Sequence, residues 1–210
     1  MLSGLNIVAL TDHNTCKNCP AFFEAAKKHG IIPVAGMELT TSEDIHVICL
    51  FEELSDAMRF DDELQKYRIL IENRTDIFGE QLIMDGDDNV IGHEKHLLSN
   101  AVSISIEDVP RLVHSFEGIC YPAHIDREAN GIISVLGTFP QTPEFKCVEF
   151  HFKENVEKYS EKYGLDGKVK IISSDTHTLG DMRDKENYFL LEDEPYSSDF
   201  VRRQLFSKLR

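Results

Sequence analysis

Residues 6–13 read Asn-Ile-Val-Ala-Leu-Thr-Asp-His, a short apolar run that ends in polar side chains. A run of this kind predicts a buried strand. A helical pattern follows to about residue 28, with Asn18 in the N-cap position and Gly30 as the C-terminal stop. A second apolar run then occupies residues 31–35. This alternation of strand and helix is typical of an α/β protein with a parallel sheet or barrel.

The same alternation continues along the chain. We predict further strands at residues 46–51, 118–122, 146–150, 169–173 and 188–191, and helices at about residues 54–72, 106–116, 132–136, 154–163 and 197–209. Residues 81–84 and 89–91 flank an Asp-Gly-Asp-Asp turn, which predicts a hairpin. No linker or internal repeat divides the sequence, so we expect residues 1–210 to form a single domain.

The composition excludes several classes of protein. The 210 residues carry 22 Lys and Arg against 37 Asp and Glu, a net charge of −15 that argues against binding to duplex nucleic acid. The hydrophobic content of 41% is sufficient for an ordinary core. No apolar run approaches the roughly 20 residues that span a bilayer. With five cysteines and no signal-like segment, we expect reduced thiols and a cytoplasmic protein.

Residues of the types that bind metals follow the apolar runs. They are His13, Glu38, His124, Asp175 and His177. Because the carboxyl ends of parallel strands meet on one face of the fold, we expect these side chains to converge there. His46 begins its apolar run instead of ending it, so its strand must run in the opposite direction to join them.

Imidazoles and carboxylates gathered at one place suit divalent ions such as Mn²⁺, Zn²⁺ or Fe²⁺. A carboxylate such as Glu38 can bridge two ions, and water between them becomes hydroxide near neutral pH. The pattern therefore predicts hydrolysis at phosphorus by a metal-bound hydroxide.

These residues also carry a family resemblance. The motifs are Thr11-Asp12-His13-Asn14, Gly36-Met37-Glu38, His46 with its apolar run, Pro122-Ala123-His124 and Ser174-Asp175-Thr176-His177. In order and spacing they resemble the motifs of the PHP (polymerase and histidinol phosphatase) family. The resemblance implies a distorted (β/α)7 barrel that hydrolyses phosphoesters with up to three metal ions. It also implies that Glu38 bridges two metals, that His46 and His124 complete the second site, that Asp175 serves the first, and that His13 and His177 serve the third.

The sequence departs from the family at its beginning. The family starts with a strand that ends in His-x-His, and no such motif precedes Asn6. Residues 1–5 instead resemble the end of the helix that leads into the Thr-Asp-His strand. The resemblance therefore implies a barrel without its first strand, an N-terminally incomplete domain, fewer than three metals and an unpaired sheet edge.

Several other residues have a functional and a structural interpretation. Arg127 would bind a substrate phosphate or form a surface ion pair, and Arg183 has the same two interpretations with a weaker functional one. Asp12 would orient an imidazole or, slightly preferred, hold a turn. The Cys16-x-x-Cys19 pair has no second pair at zinc-finger spacing, and although a helix follows it, nothing else in the sequence resembles a thioredoxin-like redox site. His151 is a weak candidate for an auxiliary ligand.

The sequence thus predicts a metal-dependent phosphoesterase that acts on a small phosphorylated metabolite, a nucleotide or an oligonucleotide end. Glu38 and the metal ligands would perform the chemistry, Arg127 would bind the phosphate, and His177 would protonate the leaving oxygen. The alternatives are an impaired family member that only binds metal or a partner, and an amidohydrolase-like barrel. The second is disfavoured because no lysine ends a strand.

Overall fold

A computed structural model describes residues 3–185 and 187–210. In chain order its strands and helices are β1 (Ile7–Leu10), α1 (Cys19–Lys28), β2 (Ile32–Thr40), β3 (His46–Phe51), α2 (Leu54–Leu64), α3 (Thr75–Phe78), β4 (Leu82–Met84), β5 (Val90–His93), α4 (Val109–His114), β6 (Ile119–Pro122), α5 (Ile132–Leu136), β7 (Cys147–Phe150), α6 (Val156–Tyr163), β8 (Val169–Ile172) and α7 (Ser198–Leu209). The mixed α/β class predicted from the sequence is confirmed.

The strands form a four-stranded sheet and two strand pairs. The order in the large sheet is β1-β2-β3-β6, and the pairs are β4-β5 and β7-β8. β1 is parallel to β2, whereas β3 is antiparallel to both of its neighbours. The reversed direction predicted for the His46 strand is therefore confirmed, and the register places His46 opposite Thr40 at the carboxyl end of β2.

The strands of the described residues do not close into a barrel; a barrel without its first strand and with an unpaired sheet edge was expected from the sequence. β1 pairs only with β2 and β8 only with β7, and β6 and β7 share no strand ladder. The edges of β1 and β8 instead line a cavity of about 1020 Å³. Among the described residues, one edge of β1 and one edge of β8 therefore have backbone groups without a neighbouring strand.

The large sheet is buried on both faces. Val47, Cys49 and Phe51 of β3 belong to one hydrophobic cluster, together with Phe60 of α2. The alternate residues Ile48 and Leu50 belong to a second cluster, which includes Leu205, Phe206 and Leu209 of α7. Since successive side chains of a strand point to opposite faces, helices cover the sheet on both sides.

Some element boundaries differ from the predicted ones. The helix predicted over residues 54–72 ends at Leu64 and continues as a 3-10 turn to Tyr67, and the one over 106–116 is restricted to Val109–His114. Residues 188–191 are not a strand; Tyr188 and Leu190 are 81% and 80% exposed, with no neighbouring strand to pair with. Residues 1–5 were predicted to be the end of a helix. Met1 and Leu2 lie outside the described residues, and residues 3–5 are not helical.

The predicted hairpin is present and is attached to the sheet through Asn18. The Asn18 amide donates to the carbonyl oxygen of Leu82 at 3.1 Å and accepts the N–H of Met84 at 2.9 Å. Its side chain does not cap α1, so the predicted capping bond is replaced by this attachment. Within the described ranges, no helix has both the length and the apolar composition needed to cross a bilayer.

Candidate metal centre

The ends of β1 and β2 bring His13 and Glu38 side by side. The pairing of β1 with β2 continues beyond β1, because Glu38 donates its N–H to the carbonyl of Asp12 at 3.1 Å and Asn14 donates to the carbonyl of Glu38 at 3.0 Å. Glu38 therefore lies within β2. The shorter strand predicted from the sequence, residues 31–35, had placed Glu38 after the strand. The longer strand arises because β3 pairs with β2 as far as Thr40.

The direction of β3 brings a second imidazole to Glu38. His46 lies opposite Thr40, two residues beyond Glu38, so the two side chains are diagonal neighbours on the same face of the sheet. That face also carries Ile48 and is the one covered by α7. His124 follows β6, next to the beginning of β3, where Ala123 donates its N–H to the carbonyl of His46 at 3.0 Å.

The Glu38 carboxylate lies at the centre of three imidazoles. Its Oε1 is 2.8 Å from His46 Nδ1 and 3.1 Å from His124 Nε2, and its Oε2 is 3.7 Å from His13 Nδ1. Glu38 is only 5% exposed. Both carboxylate oxygens therefore face nitrogen atoms inside a nearly closed site.

The electrostatics of the cluster keep Glu38 charged. Burial raises its pKa, but the hydrogen bonds from His124 and His46 more than reverse this and hold the pKa of Glu38 well below its usual range. The pKa of His124 is raised. Burial alone would lower it, but the hydrogen bond to Glu38 and the negative charge of Glu38 have the larger effect. For His13 burial dominates and lowers the pKa. The result is an anionic carboxylate beside imidazoles with different proton affinities.

Asp175 and His177 extend this cluster from the loop after β8. His177 Nδ1 is 3.7 Å from Asp175 Oδ1, and the rings of His177 and His13 have centroids 5.8 Å apart. The His177 side chain is 62% exposed, at the rim. Arg127 donates to Asp175 Oδ2, so the guanidinium lies beside the cluster. The structure thus brings all seven predicted site residues into one region, with Glu38 at its centre and His177 at its edge.

The residues present fit a divalent metal ion. One donor atom each of His13, Glu38 and His46 lie within 4.8 Å of one another. His13 Nδ1 is buried and has no hydrogen-bond partner in the described part of the chain. A buried nitrogen without a partner is costly unless something binds it, and imidazole and carboxylate are common ligands of Zn²⁺, Mn²⁺ and Fe²⁺.

One buried acid near the site was missed by the sequence analysis. Glu149, in β7, is 4% exposed, and its Oε1 accepts the N–H of His124 at 3.3 Å. Burial raises the pKa of Glu149 to about 8, so the carboxyl holds a proton at neutral pH. The available signal was a charged residue inside the apolar run Cys-Val-Glu-Phe, a pattern that is unusual for a buried strand.

The remaining candidates have structural partners. Asp12 accepts a bond from Asn18 at 3.1 Å, which agrees with the preferred turn interpretation. Arg183 donates to the carbonyl of His151 at 2.5 Å and lies 3.1 Å from its Nε2, so the His151 ring has a neighbour outside the cluster.

The two cysteines of the Cys-x-x-Cys segment pack in the core and do not have the surroundings of a redox or metal site. Cys16 and Cys19 are both buried, and both thiols donate to the carbonyl of Gly36, at 3.2 and 3.5 Å. Burial raises the pKa of Cys16 well above its usual value. All five cysteines are free.

Comparisons with known proteins agree with this arrangement. The family model of the PHP domain matches residues 2–193. The lesion-specific endonuclease PfuEndoQ from Pyrococcus furiosus has a similar structure, with a TM-score of 0.59 and 15% identity over 95% of this chain and 47% of that one. A proposed metal-dependent phosphoesterase from Bifidobacterium adolescentis has a TM-score of 0.52 and 15% identity over 99% of this chain and 87% of that one.

These structural similarities concern the fold, because both identities are low. The chain spans about half the length of the endonuclease. A search of the curated proteins finds no match to this sequence.

Proposed function

The chain belongs to the PHP domain family, and from this premise we propose that it is a metal-dependent phosphoesterase, a hydrolase of phosphate esters. The observation that carries the proposal is the position of Glu38, a charged and buried carboxylate with imidazole nitrogens near both of its oxygens. Neither a packing role nor an ordinary ion pair requires three imidazoles around one acid.

The metal-binding residues would be His13, Glu38, His46, His124, Asp175 and His177. Glu38 would be shared between two ions, His46 and His124 would complete the second site, Asp175 would serve the first site, and His13 and His177 would serve the third. Mn²⁺, Zn²⁺ or Fe²⁺ bound there would supply Lewis acidity, which lowers the pKa of bound water and neutralises the charge of a phosphate. Cellular supply would select among these metals.

The chain's own residues would bind the substrate and move its proton. Arg127 lies beside Asp175 and is partly exposed, so its planar guanidinium can bind two oxygens of a phosphate. His177 lies at the exposed rim, where an imidazole can donate a proton to the leaving oxygen. Glu38 would stay ionised throughout, because its pKa is held low.

The substrate would be a small phosphorylated metabolite, a nucleotide or an oligonucleotide end. The cavity of about 1020 Å³ that begins at the cluster is large enough for a ligand of that size. The net charge of −15 disfavours long duplexes, which need many cationic contacts. Five free cysteines, four of them buried, are consistent with a protein of the reducing cytoplasm, and we assign it there.

One observation favours a second candidate function, a domain that binds metal without turnover. Asp175 is paired with Arg127, and this pairing competes with any role of Asp175 as a ligand. On that alternative, the purified protein would contain metal but would not hydrolyse any phosphate ester.

Turnover of an aryl phosphate tests the proposal. The reaction should require Mn²⁺ or Zn²⁺, should stop on addition of a chelator, and should fall about 1,000-fold or more in Glu38→Gln, since metal contributes several kcal/mol to the transition state. The matched control is Glu157→Gln, which removes an exposed carboxylate of α6 and should leave the rate unchanged. Turnover that is independent of metal would contradict the proposal.

A further inference from the structure

Glu149 is a buried acid whose position is not accounted for by packing. Three acidic side chains are buried in the described part of the chain: Glu38, Asp61 and Glu149. Glu38 is surrounded by imidazoles, and Asp61 accepts bonds from Thr15 Oγ1 at 2.9 Å and from the N–H of Cys16 at 2.7 Å. Glu149 has no cationic side chain bonded to it, although burying a carboxyl is unfavourable.

Apart from its place in the ladder with β8, Glu149 forms hydrogen bonds with the segment that carries His124. Its Oε1 accepts the N–H of His124 at 3.3 Å, and its backbone carbonyl accepts the N–H of Ile125 at 2.9 Å. Since the described parts of β6 and β7 share no ladder, these two bonds join the ends of the two strands, and Asp126 adds to them by accepting the N–H groups of His151 and Phe152.

The backbone of His124 needs such support. Its φ of +26° lies in the left-handed region, which residues other than glycine rarely adopt. An unusual backbone of this kind persists only where the surrounding structure holds it on several sides. On the other side of the residue, the carbonyl of His124 accepts the N–H of Arg127 at 2.9 Å.

Among the described residues, the His124 ring has hydrogen-bond contacts through one nitrogen alone. Its Nε2 faces Glu38 and His46, at 3.1 and 3.3 Å. Its Nδ1 is buried and has no partner among the residues that the structure describes. Metal-binding histidines usually fix their orientation by donating the other ring N–H to a neighbour. For His124, the backbone must set the direction of the ring instead.

We propose that Glu149 is a positioning residue for the metal centre: it holds the His124 backbone in the conformation that points the imidazole at Glu38. It acts as a hydrogen-bond acceptor and does not touch the metal or the substrate. The inference rests on the proposed function only in taking His124 as a metal ligand. It predicts that an uncharged acceptor at position 149 is sufficient.

Two variants and one control test this role. Glu149→Gln keeps an acceptor oxygen, whereas Glu149→Leu keeps an approximate volume without one. The control is Val148→Ala, which weakens the same strand from its other face, where Val148 is fully buried in the first cluster. For each protein, Mn²⁺ affinity is measured by calorimetry, the exchange rate of the His124 amide hydrogen is measured without metal, and stability is measured by thermal unfolding.

We expect Glu149→Leu to weaken Mn²⁺ binding about 10- to 100-fold, the range for residues that support metal ligands, and to speed exchange of the His124 amide. Glu149→Gln should behave as the wild type in both measurements. Val148→Ala should lower the unfolding temperature and leave Mn²⁺ affinity unchanged. This contrast separates positioning from a general loss of stability.

The proposal is overturned if Glu149→Gln loses as much affinity as Glu149→Leu, or if the His124 amide exchanges equally fast in all the proteins. Failure of the wild-type protein to bind Mn²⁺ would overturn the proposed function, and the exchange rates would still decide whether Glu149 holds His124.

Discussion

Glu149 links the stability of the metal-free protein to pH. Its pKa rises from about 4.5 in the unfolded chain to about 8 in the folded one, so between these values the folded state binds a proton that the unfolded state has lost. The contribution of this group is therefore fully present below pH 4.5 and is lost as the pH rises towards 8.

Glu149→Gln should remove this dependence. We expect the wild type to lose a few kcal/mol of unfolding free energy, relative to the variant, between pH 5 and pH 8. Urea unfolding of both proteins in a chelator, at several pH values, measures the difference. Parallel pH profiles would show that the group titrates normally.

Arg127 is the residue whose role in substrate binding is most open to test. If it binds the phosphate, Arg127→Lys loses one of two parallel hydrogen bonds and should raise KM about 10-fold, while the metal content stays the same. Arg111→Lys is the control, because Arg111 is an exposed residue of α4 whose partner is Asp108. Steady-state kinetics with an unchanged KM for Arg127→Lys would limit Arg127 to its ion pair with Asp175.

Among the structural elements, the hairpin β4-β5 is attached by Asn18 at its first strand and by Lys28 at its turn, where Lys28 binds Gly86 and Asp87. Asn18 binds Leu82, Met84 and Asp12. Asn18→Ala should cost about 1–3 kcal/mol of stability and should speed amide exchange at Met84, because two-stranded hairpins are marginal without support. Asn73→Ala is the control, since Asn73 bonds within its own segment, to Gly79. Hydrogen exchange that is unaltered in β4 would contradict this role.

The elements show what a sequence can predict. The run from Ile7 to Leu10 and the reversed direction of the His46 strand followed from local patterning, and both are confirmed. The extension of β2 to Thr40 could not be predicted from local patterning, because it depends on pairing with β3 and not on the residues of β2 alone. The gap between β1 and β8 depends on which strands pair although they are far apart in the sequence. Local sequence patterns do not show which distant strands will pair.

In the candidate site, too, local patterns could be predicted and contacts between distant residues could not. The sequence could propose six ligands because residues of these types end their apolar runs, or begin one in the case of His46: His13, Glu38, His46, His124, Asp175 and His177. Glu149 was missed because its partner is a backbone N–H, 25 residues away, and no motif marks such a bond. An ion pair of Arg127 was one of the two interpretations of the sequence, but its partner Asp175 was not predicted, because the pair joins two loops that follow different strands.

For the whole molecule, the arrangement of layers explains where the site can lie. Helices α1 and α2 cover one face of the large sheet and α7 covers the other, so both faces are closed over most of their length. The proposed ligands Glu38 and His46 share the α7 face but lie at the carboxyl end of β2 and the beginning of β3, beyond the residues that α7 covers. The chemistry is thus confined to the one end of the sheet that the core leaves open.

The central claim is that six side chains, distant in the sequence, gather around divalent cations. Elemental analysis after dialysis against Mn²⁺ tests it most directly, with circular dichroism to verify folding. The account predicts at least one Mn²⁺ per wild-type chain and its loss in a folded Glu38→Gln variant. A wild-type chain without bound metal, or a variant that retains all of it, would contradict the account.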